Sequence, residues 1–319
     1  MSEIKKVKKS QQWPTLMTST SLGHIPEGAG PKKELTTVGI VGLDYCGSTL
    51  MNNILSGLPS CIGAGETHWI IDSKHNSNQR GRCTECYTQD CPVFSNKLLE
   101  ELKTEQITND GSWWENIGIA SGCEIVVSAD KRPRHYDRFG VPDKLLFMIK
   151  DPRAHIVSWA KRKFLQPDQN MKKYNQGADN FSLTDEQFNE AFTTWLRDTR
   201  KHISWSLNTS KELAVVSLEY FVENDEEVLK DIAKWIGIEF DDKALEYWDN
   251  DLHYIGSNHS VKRLNKDRYF FKQVKRDRRW ENVLTPEQSE FITSHEKVHY
   301  QLNRLKPFIL GSQVLMDFD

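Results

Sequence analysis

The stretch that decides the fold is Thr36-Thr-Val-Gly-Ile-Val-Gly42-Leu-Asp-Tyr-Cys-Gly47-Ser48-Thr49-Leu50. A short apolar, β-branched run leads into two glycines five residues apart, and Ser48-Thr49 then open an apolar-periodic segment. This order predicts a strand, a tight loop and a helix. Backbone N–H groups around the two glycines can approach an oxyanion, and the N-terminus of a helix adds favourable partial charge. The stretch therefore predicts an anion-binding loop.

The loop almost matches the phosphate-loop pattern G-x-x-x-x-G-K-[ST], but Ser48 stands where that pattern has its lysine. A nucleoside triphosphatase needs the lysine on the terminal phosphates, so a P-loop phosphotransferase of the kinase type is the weaker alternative. An ordinary glycine-containing β–α turn is the other interpretation. The loop alone leaves these interpretations open.

Length and composition limit the fold and the partners. With 319 residues, 38% of them hydrophobic, the chain can bury a sizeable core. We expect residues 1–34 to be a flexible N-terminal tail and residues 35–319 to form one domain. A net charge of -3 gives no bulk attraction to nucleic acid or acidic membranes, so an anion site must be local.

The same features predict where the protein works. No apolar run is long enough to cross a bilayer, and the N-terminus lacks an apolar signal segment, so we expect a cytoplasmic protein with no membrane partner. Its six cysteines should then be mostly reduced. The sequence does not indicate an oligomeric state.

Further apolar runs and helical stripes complete the predicted architecture. The predicted strands after the opening unit are 124–128, 144–149 and 213–217. Two amphipathic helices are predicted from apolar spacings of three and four residues, one over Phe188 to Ile203 and one over Phe291 to Leu305. Strands that alternate with helices predict an α/β fold, a central parallel β-sheet flanked by helices, with the ligand at the carboxyl ends of the strands.

A second polar group follows the strand at 144–149. Lys150-Asp-Pro-Arg153 ends the strand, Pro152 suits the first position of a helix, and Ser158 lies about two turns further on. Two cations and a hydroxyl are thus placed at the carboxyl end of a strand. The alternative is a helix capped by Asp151 with both cations in solvent.

Together these segments resemble the sulfotransferases that use 3′-phosphoadenosine 5′-phosphosulfate, of the bacterial type with a P-loop-like fold. The resemblance spans roughly residues 36 to 310 and rests on the loop, on Gly65-Glu66, on the Lys150 to Ser158 segment and on Ser217-Leu-Glu-Tyr-Phe. It implies transfer of a sulfuryl group from that donor to a hydroxyl or an amine or amide nitrogen of a small acceptor. The acidic balance favours a neutral or cationic acceptor, such as a natural product, and the other product would be adenosine 3′,5′-bisphosphate.

The resemblance also implies which residues bind the donor. The loop would hold the 5′-phosphosulfate, while a basic residue and a serine eight positions later would hold the 3′-phosphate. The resulting donor-binding candidates are Tyr45, Cys46, Gly47, Ser48, Thr49, Leu50, Lys150, Arg153, Ser158, Lys262 and Arg263.

The chain departs from the family at the loop. Many relatives carry Pro-Arg-Ser or Pro-Lys-Ser before the second glycine, where this chain has Asp44-Tyr45-Cys46, so the usual loop cation is missing. Some other cation must neutralise the sulfate and its bridging oxygen. Lys131 and Arg132 are the nearest candidates along the chain, and the others are Lys272, Lys275 and Arg276.

Glu66 and His68 are the catalytic candidates. Gly65-Glu-Thr-His resembles the Gly-Glu-Glu-Thr-Arg segment of tyrosylprotein sulfotransferases, where a glutamate is the general base. The resemblance makes Glu66 the expected base and His68 its neighbour or substitute. The alternative is a surface carboxylate beside a packed His-Trp pair.

Three cysteines have the spacing of metal ligands. Cys83, Cys86 and Cys91 lie within nine residues, and His68 or His75 would complete a Cys3His zinc set. Since only one C-x-x-C is present, we expect reduced packing cysteines or a disulfide in preference to zinc. A non-catalytic nucleotide-binding module with a cysteine-knuckle surface therefore stays open as an alternative function.

Overall fold

The computed structural model describes residues 35–72, 81–86, 91–104, 109–165, 181–256 and 274–312. Five parallel strands form one sheet in the order β2-β3-β1-β4-β5. They are β1 (Thr36–Val41), β2 (Cys61–Gly65), β3 (Ile125–Lys131), β4 (Lys144–Ile149) and β5 (Glu212–Ser217). The first strand lies in the middle and the chain winds to both sides of it, as in doubly wound sheets.

Helices cover both faces of the sheet. They are α1 (Ser48–Leu55), α2 (Trp69–Asp72), α3 (Asn96–Thr104), α4 (Ser112–Ser121), α5 (Pro133–Phe139), α6 (Pro152–Ala160), α7 (Asp185–Asn208), α8 (Leu218–Glu223), α9 (Asp225–Ile236), α10 (Trp280–Val283), α11 (Pro286–Ser294) and α12 (Glu296–Leu305). Within the ranges given above, no helix is long and apolar enough to cross a membrane.

The two faces of the sheet bury separate apolar layers. Along β4, Leu145 and Phe147 pack into the layer that contains α3 to α7, α11 and α12, whereas Leu146 and Met148 pack into the layer that contains α1, α8 and α9. Alternate side chains of a strand point to opposite faces, so a strand covered on both sides must be apolar throughout. The predicted single parallel sheet flanked by helices is confirmed.

Of the two predicted amphipathic helices, the first is present and the second is divided into two helices. The stripe from Phe188 to Ile203 lies on α7, which begins with a capping box in which the Thr184 hydroxyl accepts from the Gln187 N–H. The later stripe is not one helix, because His295 has an extended backbone between α11 and α12 and its ring caps the second of them. The apolar spacing continues through this break, so spacing alone gave the wrong boundary.

The edge strand β2 was missed because its sequence is Cys-Ile-Gly-Ala-Gly, which has low strand propensity. Two of its positions require glycine because neighbouring segments pack closely against them. A Cβ at Gly63 would lie 2.5 Å from the Asn52 carbonyl oxygen of α1, and one at Gly65 would lie 2.3 Å from the Ile255 carbonyl oxygen. Backbone atoms of neighbouring segments thus occupy the space of the missing side chains.

We expect Gly63→Ala to lower the free energy of unfolding by about 1–3 kcal/mol, because α1 would have to move away from β2. Urea denaturation followed by circular dichroism measures the change. Gly122→Ala is the control, since a Cβ there meets nothing within 4 Å and adds only backbone strain at φ +68°. Equal losses in the two variants would contradict the close packing of α1 on β2.

Candidate functional site

The loop between β1 and α1 lies at the carboxyl edge of the sheet. Tyr45 and Gly47 both have left-handed backbones, with φ of 71° and 90°. The helix α1 starts without a side-chain cap and has no acidic residue in its first turn. A Cβ at Gly42 would lie 2.7 Å from the Met148 carbonyl oxygen, so only glycine allows the loop to pass this close to β4. The predicted strand, tight loop and helix are present.

Cys46 is a packing residue of this loop. Its side chain is 1% exposed, and burial raises the pKa of its thiol above the usual value. The thiol is therefore neutral and a poor nucleophile.

Lys131 approaches the loop from the end of β3. Its ammonium lies 2.5 Å from the Glu66 carboxylate and 3.8 Å from that of Asp44, and its side chain is 13% exposed. Burial opposes the charge, but the two carboxylates outweigh it and hold the pKa of Lys131 above its usual value. The residue has a φ of 61°, a conformation that lysine rarely adopts and that often marks functional sites.

The other proposed loop cations are less well placed. Arg132 pairs with Asp44 at 2.6 Å but is 43% exposed. Arg276 lies 3.7 Å from Glu223. Lys272 falls outside the described residues. Among the residues described, Lys131 is therefore the one largely buried cation in contact with both Glu66 and the loop.

His68 is held by a buried carboxylate that the sequence analysis did not single out. Asp130, at the end of β3, is fully buried and accepts hydrogen bonds from the Thr67 hydroxyl (2.7 Å), the His68 N–H (2.9 Å), the His68 ring (2.6 Å) and the Ser128 hydroxyl (2.8 Å). Because a carboxylate only accepts, His68 donates from Nδ1, and in the neutral ring Nε2 carries the lone pair. The His68 ring also stacks on His135 at 3.9 Å.

Glu66 follows β2 in the same group. Both of its carboxylate oxygens have partners: one accepts from Lys131 and the other accepts from the Trp69 indole at 2.9 Å. Its backbone N–H donates to the Ile255 carbonyl at 2.7 Å. Glu66 and His68, the two catalytic candidates, thus lie side by side at the carboxyl edge with Lys131 and Asp130.

The second polar group forms around an anion that belongs to the chain. The Lys150 ammonium lies 3.1 Å from the Ser158 hydroxyl, as their spacing predicts, and 2.7 Å from the Asp277 carboxylate. Arg279 donates to Asp277 at 2.6 Å and to Ser158 at 3.2 Å. Burial opposes the charge of Asp277, but Arg279 and Lys150 hold its pKa well below the usual value. Two cations and a hydroxyl therefore enclose one carboxylate.

Arg153, another donor-binding candidate, has different partners. Arg153 pairs with Asp151, which caps α6, and its guanidinium stacks 3.9 Å above the Trp280 ring. Lys262, Arg263 and also His75 lie outside the described residues.

Arg279 and Asp277 were missed as site residues, although their neighbours Lys275 and Arg276 were loop-cation candidates. The contact of Asp277 with Lys150 crosses 127 residues of chain and that of Arg279 with Ser158 crosses 121, and no local pattern encodes such contacts. Asp130 and Lys131 did carry a signal. Polar residues directly after a buried parallel strand lie at the carboxyl edge of the sheet.

Comparison with known proteins identifies the family. The family model described as "Sulfotransferase family" matches residues 38–242. The chain belongs to the sulfotransferase family. No curated protein matches this sulfotransferase in sequence.

Three solved sulfotransferase structures are similar to this chain, and the first of them shows the same fold. The sulfotransferase domain of the Synechococcus PCC 7002 olefin synthase has 14% identity and a TM-score of 0.52, over 87% of this chain and 96% of that one. The sulfotransferase domain from the curacin biosynthetic pathway has 11% identity and a TM-score of 0.45, over 86% and 98%. Mouse sulfotransferase SULT7A1, a complex with PAP, has 13% identity and a TM-score of 0.42, over 86% and 88%.

Glu219, in the segment after β5, is a buried acid beside the second polar group. One of its oxygens accepts from the Asp151 N–H at 3.0 Å, and the other has no hydrogen-bond partner. Burial, aided by the Asp151 carboxylate, raises the pKa of Glu219 to about 7. In the unfolded chain the same group titrates near its ordinary value of 4.5.

This shift predicts a pH-dependent stability. Between those two pKa values the unfolded chain has lost a proton that the native state keeps, so the free energy of unfolding falls as pH rises, by up to roughly 1.4 kcal/mol per pH unit. Glu219→Gln keeps an acceptor for the Asp151 N–H and removes the titration. We therefore expect the free energy of unfolding of the variant to rise relative to that of the parent protein as pH rises from about 5 to about 8. Urea denaturation at a series of pH values measures this difference. Glu290→Gln, at an exposed position of α11, should show no such trend.

Proposed function

We propose that this sulfotransferase moves the sulfuryl group of 3′-phosphoadenosine 5′-phosphosulfate to a hydroxyl or nitrogen of a small molecule. The observation that carries this proposal is the Asp277 carboxylate enclosed by Lys150, Arg279 and Ser158. A phosphate matches these donors at least as well as a carboxylate does, because both are anions with several acceptor oxygens. The glycine loop of the adjacent strand β1 supplies a second anion site at the same edge of the sheet.

In this proposal Lys150, Ser158 and Arg279 hold the 3′-phosphate of the donor, which displaces the Asp277 carboxylate. Arg153 is a weaker candidate for binding this phosphate, since its ion pair with Asp151 would have to break. Lys262 and Arg263 remain candidates from the family resemblance alone. The loop residues Tyr45, Cys46, Gly47, Ser48, Thr49 and Leu50 hold the 5′-phosphosulfate.

The donor supplies an activated sulfur–oxygen bond, and the protein must position it, neutralise the departing oxygen and accept a proton from the acceptor. Lys131 is the proposed cation for the departing oxygen, in place of the missing loop lysine or arginine. Its ammonium already lies between the loop carboxylate of Asp44 and Glu66. A cation paired with two carboxylates can exchange one of them for a sulfate oxygen.

Glu66 and His68 are the two proposed proton acceptors. The family resemblance ranks Glu66 first, but both of its carboxylate oxygens already accept hydrogen bonds, one from Lys131 and one from Trp69. The contacts of His68 make it the better candidate for the proton acceptor. Asp130 fixes its Nδ1 proton and stabilises the imidazolium that forms when Nε2 takes a proton.

The acceptor is proposed to be a small neutral or cationic molecule, such as a natural product of secondary metabolism. A screen of alcohols and amines with labelled donor would identify it. The alternative functions differ in ligand choice. Adenosine 3′,5′-bisphosphate should protect the protein against thermal unfolding whereas ATP should not. Protection by ATP alone would indicate a phosphotransferase, and protection by neither would contradict the donor assignment.

Lys150→Ala should weaken the binding of adenosine 3′,5′-bisphosphate roughly tenfold to a hundredfold, because one charge-assisted contact in a buried site is lost. Isothermal titration calorimetry measures the dissociation constant. Lys144→Ala is the matched control, since Lys144 starts the same strand at the opposite edge of the sheet. Unchanged affinity in Lys150→Ala would remove Lys150 from the site.

With an acceptor that has a neutral hydroxyl, we expect His68→Ala to lower kcat by about a hundredfold to ten-thousandfold while donor affinity stays constant. Asp130→Asn should also lower kcat, because the amide no longer stabilises the imidazolium. Glu66→Gln, which preserves shape, should have the smaller effect. If Glu66→Gln loses turnover and His68→Ala does not, the base is Glu66.

A further inference from the structure

Three thiols and one imidazole that have no part in the proposed donor site converge on a single point. The sulfur atoms of Cys83, Cys86 and Cys91 lie 3.8, 3.3 and 3.6 Å from Nδ1 of His253. All four ligand atoms lie within 4.8 Å of one another. None of the three cysteines forms a disulfide. The histidine is neither of the two that the sequence analysis suggested, because it comes from a segment 162 residues or more further along the chain.

These distances match a tetrahedral zinc ion. Bond lengths of about 2.3 Å to sulfur and about 2.0–2.1 Å to nitrogen, at tetrahedral angles, separate sulfur from nitrogen by about 3.6 Å. The three observed separations lie on both sides of that value. Simple packing of thiols around an imidazole would not require all four to point at a common centre.

The surroundings also suit a metal. His253 directs Nε2 towards the Asp251 carboxylate at 3.4 Å, so the ring nitrogen that faces the sulfurs is the one free to bind a metal. The Phe94 N–H donates to the Cys91 sulfur at 3.2 Å, a contact that stabilises a thiolate. Cys83 and Cys91 are 3% and 2% exposed. Four protein ligands leave no open position, which is typical of structural sites and not of catalytic ones.

We propose that Cys83, Cys86, Cys91 and His253 form a structural zinc site. Zinc suits a set of three thiolates and one imidazole better than magnesium or calcium, which prefer oxygen ligands. This assignment reverses the preference for packing cysteines or a disulfide that the sequence spacing alone supports.

The site joins two segments, one of which supports Glu66. Next to the ligands, the Thr84 N–H donates to the Tyr254 carbonyl at 2.7 Å and the Thr84 hydroxyl donates to the Gly256 carbonyl at 2.5 Å. Between these two acceptors, Ile255 donates its N–H to the Ala64 carbonyl at 2.9 Å and accepts the N–H of Glu66 at 2.7 Å. A metal that fixes Cys83 and His253 therefore also fixes the end of β2.

Metal analysis tests the proposal directly on the full chain. Protein produced in zinc-containing medium and purified without chelator should contain about one equivalent of zinc, and its X-ray absorption should show three sulfur ligands and one nitrogen ligand. Metal-free protein would overturn the proposal. So would a Cys83–Cys86 disulfide found by mass spectrometry, or stoichiometric iron in place of zinc.

Variants locate the metal. Cys86→Ser and His253→Ala should each lose most of the zinc, whereas Cys123→Ser, at a cysteine outside the cluster, should keep it. Zinc retained in both ligand variants would place the metal elsewhere.

If these variants fold poorly, the role of the metal is tested by hydrogen exchange of the parent protein before and after zinc removal. Exchange should rise at residues 62–66 and 252–256 and stay constant in β4, and an unchanged pattern would show that the cluster does not hold the end of β2.

Discussion

The buried carboxylate of Asp130 determines how the carboxyl edge of the sheet is arranged. An isolated charge in a protein interior is unfavourable, but here four hydrogen bonds occupy the lone pairs of the two oxygens. Burial alone would raise the pKa of Asp130, and these donors, led by His68, hold it below the usual value instead. The donors come from β3 and from the turn after β2, so the carboxylate joins two strand ends. The next residue is Lys131, whose left-handed backbone turns its ammonium towards Glu66.

The cations at this edge are already paired inside the protein. Lys131 faces Glu66, Lys150 and Arg279 face Asp277, and Arg153 faces Asp151. An incoming anion would therefore exchange with a carboxylate instead of meeting a bare cation. Such an exchange avoids the large desolvation penalty of an unpaired buried charge, and it favours ligands whose geometry outcompetes a carboxylate. It also agrees with a chain whose net charge of -3 gives no general attraction to anions.

The sequence predicts the parts of this structure that depend on neighbouring residues. Strands β1, β3, β4 and β5 each contain a short apolar run. The two glycines of the loop and the spacing of Lys150 and Ser158 are local signals as well. The strand β2 was missed because its glycines serve the packing of Asn52 and Ile255, which lie outside the strand. Contacts between distant segments carry no local signal. His253 with the three cysteines and Arg279 with Ser158 are such contacts, at separations of more than one hundred residues.

His155 shows how the two polar groups are kept in register. The helix α6 carries it between Arg153 and Ser158, and its Nε2 lies 2.7 Å from the Asp44 carbonyl of the glycine loop. A carbonyl can only accept, so Nε2 carries the hydrogen, and Nδ1 is buried without a partner. Burial, with a contribution from the charge of Lys150, lowers the pKa of His155 to about 4. The ring therefore stays neutral near pH 7 and connects the loop to α6 without adding a positive charge beside Lys150. A protonated ring would add a third cation to the region that Lys150 and Arg279 already occupy, and the hydrogen bond to Asp44 would then act against charge repulsion. Neutrality allows one short contact to fix the distance between the two proposed anion sites.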